Sequence, residues 1–366
     1  MITRIHYFTL VLYLAGIPFA AIAQQSIFDE LYQGDEPVEI EIEAALVELI
    51  ENRRLEEAQP SSFVFKNTRG QKLAFGVKLA QRGKYRRRIC EFPPLSLDFS
   101  KNELKEQGFI PKYDKLKLVT HCLDDKQLGQ ELVLREYLGY KLFNELSSSS
   151  YRVQLAKVTY LDSNREIGRI KRFGFLIEDT DEMALRLGGE ECEDCLNPPD
   201  SSIAASTENV MAVFQYMIGN ADWSLPMMRN LKIVSLFDGG GLIPVPYDFD
   251  FSGLVNAPYA LPNSDYGLLS VRQRVFLGNS TSRADLEKTL KLFLAKKARM
   301  YEIIQDFKLL SWESRQEIQA YLESFFQEAE SILAADDSNP EYQLLRQCVR
   351  MQSSDDKGAF NRPPGK

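Results

Sequence analysis

The sequence predicts an α+β fold in which a β-rich first half carries one long helix and the second half is mainly helical. Short apolar or alternating segments bounded by turn residues indicate antiparallel strands at residues 62–66, 73–81, 95–99, 114–119, 152–160 and 167–177. Residues 127–146 have apolar side chains around most of the helical wheel, and residues 282–307 and 311–333 repeat apolar positions at helical spacing. We expect a β-rich N-lobe at 24–179, a helical C-lobe at 180–345 and a flexible tail at 346–366.

The first residues have the pattern of a secretory leader. Residues 1–23 contain Arg4 and no acid, an apolar run over residues 7–20, and the small-residue pattern Ala21-Ile22-Ala23. Such a pattern is typical of a signal peptide, here cleaved after Ala23. No later stretch approaches the roughly 20 apolar residues that a membrane span needs. We therefore expect an exported protein, periplasmic or extracellular, without stable membrane insertion after cleavage.

The composition excludes several classes of function. The chain has 44 Lys and Arg against 52 Asp and Glu, a net charge of −8, which argues against nonspecific nucleic-acid binding. Its histidines are His6, which lies in the leader, and His121. A single remaining histidine excludes a His-rich zinc site, and Ser-His-Asp catalysis would depend on His121 alone.

The cysteines predict disulfides, because the leader directs the chain to an oxidising compartment. Cys192 and Cys195 lie in an acidic C-x-x-C segment that disfavours a reactive thiol. A local disulfide is the preferred interpretation, with a metal site as the alternative. Cys90 and Cys122 each end a predicted strand of the first half, so we expect them to be bridged. Cys348 is then left over.

Two charged segments of the first half have no assigned strand. Residues 24–59 are acidic and carry at most a short amphipathic helix at 44–55. Residues 82–90 are the only strongly basic run. A run of this kind predicts a solvated turn or, because Gly83 precedes the arginines, a cradle for phosphate.

A β-hairpin is predicted in the second half. Residues 231–237 and 242–245 are apolar and flank a glycine-rich turn at 238–241. Pairing about the centre of this turn places Asn230 opposite Phe249. The amide of Asn230 would then lie between the carboxylates on either side of Phe249.

These carboxylates, Asp248 and Asp250, predict a metal site together with Asn230. Carboxylate and amide oxygens are suitable ligands for Mg²⁺, which keeps the rest of its shell for water and phosphate. Asp222 lies just upstream, and we expect it to orient a hydroxyl nucleophile. The alternative is that the acids only form turns, since Asp, Asn and Gly are turn residues.

A buried glutamate is predicted on the long helix. Glu136 projects among apolar residues of that helix, and a buried carboxylate needs a cation. Lys117 is the predicted partner, and Lys115 replaces it if the strand register shifts by two. A strand lysine followed by a helix glutamate is the order in which kinases build the ion pair that positions nucleotide phosphates. The alternative is that Lys117 is exposed and Glu136 reaches solvent.

The chain resembles the spore coat protein H (CotH) family of exported atypical protein kinase-like proteins over about residues 60–260. The resemblance rests on Arg82-Gly83, Arg86-Arg87-Arg88, residues 89–95, Lys115-Leu116-Lys117, Leu134-Arg135-Glu136-Tyr137-Leu138, Phe175-Leu176-Ile177-Glu178, Asp222, Asn230 and Pro246-Tyr247-Asp248-Phe249-Asp250. It implies a divergent two-lobed protein kinase-like fold that uses ATP and Mg²⁺ to phosphorylate Ser or Thr of another exported protein.

The resemblance also implies roles for individual residues. Asp222 matches the catalytic acid. Lys117, Lys115, Glu136 and Glu178 match cofactor-binding residues, and Asn230, Asp248 and Asp250 match metal ligands. The chain departs from ordinary kinases because it has no G-x-G-x-x-G loop and a longer spacing between Asp222 and Asn230.

Two other classes of function stay open. The first is a metal-dependent glycosyltransferase, because an Asp-x-Asp motif at a strand end can hold a metal and a nucleotide sugar. Against it, the first half is predicted to be antiparallel β and not a Rossmann-like βαβ unit. The second is a noncatalytic binding protein or scaffold.

Overall fold

The computed structural model describes residues 24–52, 57–279 and 281–335, so the predicted leader and tail, with Cys348, lie outside the described residues. The described helices are α1 (Ile27–Leu31), α2 (Leu46–Glu51), α3 (Arg86–Ile89), α4 (Lys101–Glu106), α5 (Lys126–Leu146), α6 (Thr180–Arg186), α7 (Ala205–Met217), α8 (Arg283–Asp306) and α9 (Trp312–Ala334). The described strands are β1 (Val38–Ala44), β2 (Gln59–Lys66), β3 (Lys72–Gln81), β4 (Leu95–Phe99), β5 (Lys115–Val119), β6 (Val153–Asp162), β7 (Ile170–Ile177), β8 (Gly189–Glu191), β9 (Leu231–Leu236) and β10 (Leu242–Pro246).

The first seven strands close into a barrel in the order β1-β2-β3-β4-β5-β7-β6. All neighbours are antiparallel except β1 and β6, which run parallel, with Val38 paired to Ala156. Strands β10, β9 and β8 form a separate three-stranded antiparallel sheet. Closure leaves no unpaired edge in the larger sheet.

The expected divergent two-lobed protein kinase-like fold is wrong. A closed seven-stranded barrel is not the N-lobe of a two-lobed kinase, and the barrel contains every strand from β1 to β7. The physical reason is β1, which pairs with β2 on one side and with β6 on the other. Hydrogen bonding on both sides of this strand converts an open sheet into a barrel.

Strand β1 lies in the acidic segment to which no strand was assigned. It reads Val-Glu-Ile-Glu-Ile-Glu-Ala, and its Val, Ile and Ala side chains are buried while the glutamates face outward. This strict alternation is itself a strand signal. The high charge of the segment concealed it, because a strand that faces solvent on one side has polar residues at every second position.

Two hydrophobic cores lie on opposite sides of the barrel wall. The inner core contains Phe63, Phe65, Phe75 and Phe99, whose rings contact one another, and it includes Leu116 and Leu118 of β5. The outer core joins β5, β6 and β7 to α5, α7, α8, α9 and the small sheet. Helix α5 therefore lies between the barrel and the rest of the chain.

Helix α5 confirms the predicted buried helix almost residue for residue. The Asp125 carboxylate caps it by accepting a hydrogen bond from the Leu128 N–H at 2.8 Å. Its buried side chains include Glu136, Tyr137 and Tyr140. The helix thus carries a carboxylate into the interior of the protein.

Both predicted disulfides are present. Cys90 and Cys122 are bridged with their Cα atoms 4.5 Å apart, and Cys192 is bridged to Cys195. Two disulfides are compatible with an exported protein. Within the described residues, every helix is too short or too polar to cross a membrane.

Candidate functional site

The hairpin of β9 and β10 has a register two residues away from the predicted one. Leu231 pairs with Pro246, and the Tyr247 N–H donates a hydrogen bond to the Asn230 carbonyl at 3.1 Å. Asn230 therefore lies opposite Tyr247 and not opposite Phe249. The bond from the Leu236 N–H to the Gly241 carbonyl (3.2 Å) centres the turn one residue earlier than the glycine run suggested. Moving a turn centre by one residue moves the pairing by two.

Three carboxylates from two distant parts of the chain converge. They belong to Glu136 of α5 and to Asp248 and Asp250, which follow β10, and one oxygen of each lies within 4.8 Å of the others. Phe249, between the two aspartates, is fully buried and its ring packs 4.6 Å from that of Tyr140. The Asp248 N–H also donates to the Tyr140 hydroxyl at 2.8 Å. Helix α5 thus anchors the loop that carries the two acids.

Arg86 is the cation of this cluster. Its Nη1 lies 3.1 Å from Glu136 Oε2, its Nε lies 3.3 Å from Asp250 Oδ2, and its Nη2 contacts Asp248. Burial alone would lower the pKa of Arg86, but the charges of Asp248, Asp250 and Glu136 outweigh it and hold that pKa well above its ordinary value. The guanidinium is therefore permanently charged at the centre of the cluster.

One guanidinium does not balance three carboxylates. Burial raises the pKa of both Glu136 and Asp250, although the charge of Arg86 opposes the rise. Glu136 Oε1 is buried and has no hydrogen-bond partner, whereas Asp250 Oδ2 has no hydrogen bond but lies 3.3 Å from Arg86 Nε. Buried oxygens of this kind are costly unless a proton or a cation satisfies them. The cluster therefore fits a divalent metal ion with hard oxygen ligands.

The predicted ion pair between Lys117 and Glu136 is wrong. Among the described residues, the ion pair of Glu136 is with Arg86, and neither Lys117 nor Lys115 contacts it. The basic run predicts a solvated turn or a phosphate cradle, and neither expectation pairs Arg86 with Glu136. A sequence signal existed, because Cys90 fixes the run next to the start of α5 through its bridge to Cys122.

Lys117 lies instead in an aromatic setting. Its Nζ donates to the Thr180 hydroxyl at 3.1 Å and sits 5.5 Å from the ring centre of Tyr151 and 5.2 Å from that of Tyr247. Burial, together with the neighbouring charges of Arg82 and Lys232, lowers the pKa of Lys117 to about 8. Lys115 is exposed on the outside of the barrel. Lys117 therefore packs against aromatic rings, whereas Lys115 faces solvent.

Glu178 follows β7 and is completely buried. Arg152 Nε donates to its Oε2 at 2.8 Å, and Arg186 Nη2 donates to its Oε1 at 2.5 Å. Both carboxylate oxygens are thus occupied by arginines within an ion network. Its role in cofactor binding stays a prediction.

Asp222 and Asn230 form a second polar group. The Asn230 side-chain amide donates to Asp222 Oδ2 at 2.9 Å and to the Asp222 carbonyl at 2.6 Å, so its amide oxygen is not used in these bonds. Arg229 Nε lies 3.5 Å from Asp222 Oδ1. Burial raises the pKa of Asp222; Arg229 opposes the rise, and the charge of Asp248 adds to it. Asp222 is therefore electrostatically coupled to the carboxylate cluster.

Comparison with models of known protein families and with curated proteins finds no match to this chain. The resemblance to the CotH family therefore stays a prediction. The geometry of the two polar groups is the basis for assigning a function.

Proposed function

We propose that the protein transfers the γ-phosphate of ATP to a Ser or Thr hydroxyl of another exported protein with the help of Mg²⁺. The observation that carries the proposal is the convergence of the carboxylates of Glu136, Asp248 and Asp250, in which Glu136 Oε1 is buried without a hydrogen-bond partner. Phosphoryl transfer depends chiefly on positioning and on neutralising charge, which such a cluster supplies through a metal.

The metal ligands would be Asp248, Asp250 and Glu136, with the Asn230 amide oxygen as a further candidate. Asp248 is the principal ligand, because its side chain is 25% exposed while those of Asp250 and Glu136 are almost completely buried. When bound, Mg²⁺ neutralises the charge of the phosphate oxygens. Arg86 keeps the three carboxylates together before the metal enters.

Three cations are suited to hold the phosphates. Lys117, Arg82 and Lys232 lie close enough to one another that the other two lower the pKa of Lys117. Tyr247 packs against Lys117 and is adjacent in sequence to Asp248, so this group borders the carboxylate cluster. Positive charges beside a metal site are the usual arrangement for binding nucleotide phosphates.

Asp222 is the proposed base. Its side chain is 38% exposed, and the amide of Asn230 fixes its orientation. The acceptor hydroxyl oxygen forms a bond to the γ-phosphorus, and the bond from that phosphorus to the β–γ bridging oxygen breaks. ADP leaves with the electron pair, and the hydroxyl proton passes to Asp222. A carboxylate with a raised pKa accepts a proton more readily than an ordinary aspartate.

Export is part of the proposal. The leader pattern at residues 1–23 supports it, and the two disulfides are compatible with it. A substrate that meets this protein would then be exported as well.

One observation favours a noncatalytic binding protein as the second candidate. Arg86 contacts all three carboxylates, as expected for a purely structural ion network. In that case the cluster would bind no metal, and the fold would serve only to present a surface.

Calorimetry on the mature, oxidised chain separates these candidates. Titration with ATP should give binding in Mg²⁺ and little or none in EDTA, and incubation with γ-labelled ATP should label Ser or Thr in an exported protein. Absence of binding for every nucleotide would favour the noncatalytic candidate. Binding of a nucleotide sugar in place of ATP would favour glycosyl transfer.

A further inference from the structure

The loop of the proposed base is bonded directly to the loop that carries the two aspartates of the carboxylate cluster. The Gly253 N–H donates a hydrogen bond to the Gly219 carbonyl at 3.1 Å. Gly219 lies three residues before Asp222, and Gly253 lies three residues after Asp250. These two glycines therefore form the junction through which the backbone connects the proposed base to the proposed metal site.

The side chain of Tyr321, which belongs to α9, packs against this junction. Tyr321 is buried, and a Cβ atom on either Gly219 or Gly253 would overlap its hydroxyl oxygen. Gly219 also has a φ of 65°, in the left-handed region that favours glycine. Because protein interiors are close-packed, neither loop can move toward this oxygen without displacing the tyrosine.

Tyr321 is itself held in place. Its hydroxyl donates to the Arg272 carbonyl at 3.1 Å, and the guanidinium carbons of Arg272 and Arg274 lie 4.1 and 4.2 Å from the centre of its ring. Burial raises the pKa of Tyr321, although the charges of Arg274 and Arg272 oppose the rise, so the hydroxyl keeps the proton that it donates. The ring therefore has a fixed position between charged groups.

The same arginines bind the backbone next to the junction. Arg272 Nη1 donates to the Gly253 carbonyl at 3.2 Å. Arg274 Nε donates to the carbonyl of Met217, which ends α7 just before the Asp222 loop, at 3.0 Å, and its Nη2 donates to the Tyr321 carbonyl at 2.7 Å. Helix α9 is thus connected to the backbone of both loops.

We propose that Tyr321 is a positioning residue whose hydroxyl fixes the distance between Asp222 and the carboxylates of Asp248 and Asp250. The inference rests on the proposed function for the roles of these acids, whereas the packing against the two glycines does not depend on it. A base and a metal that act on one transfer must be held to within about 0.5 Å of their productive arrangement. Tyr321 acts on this arrangement through the backbone of the junction.

Trp223 reports the position of the Asp222 loop without ATP or metal. It is 1% exposed, and the other tryptophan of the chain, Trp312, is 62% exposed, so Trp312→Phe leaves one buried fluorophore. In this background Gly219→Ala should shift the emission to longer wavelength and increase quenching by acrylamide, because the new methyl group overlaps the tyrosine hydroxyl. Adding Tyr321→Phe should reverse both changes, because the nearest ring atom then lies 3.4 Å from the methyl group.

Gly70→Ala is the matched control. Gly70 has a φ of 74° and open space around it, so alanine there adds the same kind of backbone strain without an overlap, and the emission should not change. With ATP and Mg²⁺, Gly219→Ala should slow phosphoryl transfer about 10²-fold at unchanged ATP affinity. The double variant Gly219→Ala/Tyr321→Phe should recover most of this rate.

The outcomes separate this inference from the proposed function. Wild-type emission in Gly219→Ala, or a changed emission that Tyr321→Phe does not reverse, would overturn the inference even if transfer occurs. Restored emission in the double variant would support it even if no nucleotide binds, and only the proposed function would then fail. If circular dichroism shows that Gly219→Ala does not fold, a folded double variant supports the inference and an unfolded one overturns it.

Discussion

Arg86 Nη1 donates a hydrogen bond to Glu136 Oε2 at 3.1 Å, at a point where both side chains are buried. The same guanidinium contacts Asp248 and Asp250, so a single cation from α3 holds an acid of α5 and two acids that follow β10. The contacts of Arg86 therefore link the first half of the chain to the second half. It also makes Arg86 the residue whose removal tests the cluster most directly.

Arg86→Met should lower the free energy of unfolding by about 3–5 kcal/mol, because it leaves buried carboxylates without their cation. Urea denaturation in EDTA measures this loss. Adding Mg²⁺ should raise the melting temperature of the variant more than that of wild type, since the metal then supplies the missing positive charge. Arg88→Met, which changes an exposed arginine of the same short helix, is the matched control. Absence of any stabilisation by Mg²⁺ in all three proteins would contradict a metal site.

Substitutions of Asp222 and Asp248 should separate catalysis from binding. Asp248→Asn removes a metal ligand and should weaken Mg²⁺-dependent ATP binding as well as transfer. Asp222→Asn keeps the side-chain volume and should leave ATP binding intact while slowing transfer by about 10²–10⁴-fold. Asp265→Asn, an exposed acid on a neighbouring turn, should change neither. Unchanged metal-dependent binding in a double variant of Asp248 and Asp250 would rule out this metal site.

Lys117 should make ATP affinity depend on pH. Its pKa is lowered to about 8, so the ammonium is present at neutral pH and is lost as the pH rises above about 8. Calorimetry with ATP and Mg²⁺ should show affinity falling from about pH 7 to about pH 9. Lys117→Arg stays charged and should show no such fall, whereas Lys115→Arg, at an exposed position, should behave as wild type. If the pH profiles of all three proteins were parallel, Lys117 would not be a residue that holds the phosphates.

Glu208 should make the stability of the fold depend on pH. Burial raises its pKa from 4.5 to about 7, although the Asn279 N–H donates to its Oε1 at 3.0 Å. The folded state therefore holds the proton more tightly than the unfolded state, so stability is highest below about pH 4.5 and declines as the pH rises to about 7. The loss should be roughly 3 kcal/mol.

Glu208→Gln is neutral and retains an oxygen for the Asn279 N–H, so it should remove this part of the pH dependence. Denaturant unfolding at a series of pH values measures the effect. Glu106→Gln, a change at an exposed position at the end of α4, should leave the pH profile of wild type unchanged. A Glu208→Gln profile that follows wild type would show that Glu208 is not the responsible group.

The candidate site was predictable in part. The apolar surroundings of Glu136 along α5 predicted a buried carboxylate that needs a cation, and the structure buries Glu136 beside Arg86. The partner was mispredicted because Lys117 and Arg86 are both basic residues that precede the helix. Choosing between them requires the position of α3 relative to α5, which local periodicity does not contain.

The sequence by itself determined the features of this protein that depend on local patterns. The helix α5, the hairpin of β9 and β10, and the bridge between Cys90 and Cys122 were all predictable, because 3.6- and 2-residue periods, turn residues and cysteine pairing act over short distances. Only the tertiary structure decided that β1 pairs with β6 and closes a barrel, that the hairpin is displaced by two residues, and that Arg86 holds the three acids. These features depend on contacts between residues far apart in the chain, where several partners satisfy the same local pattern and the packing of the whole protein selects one.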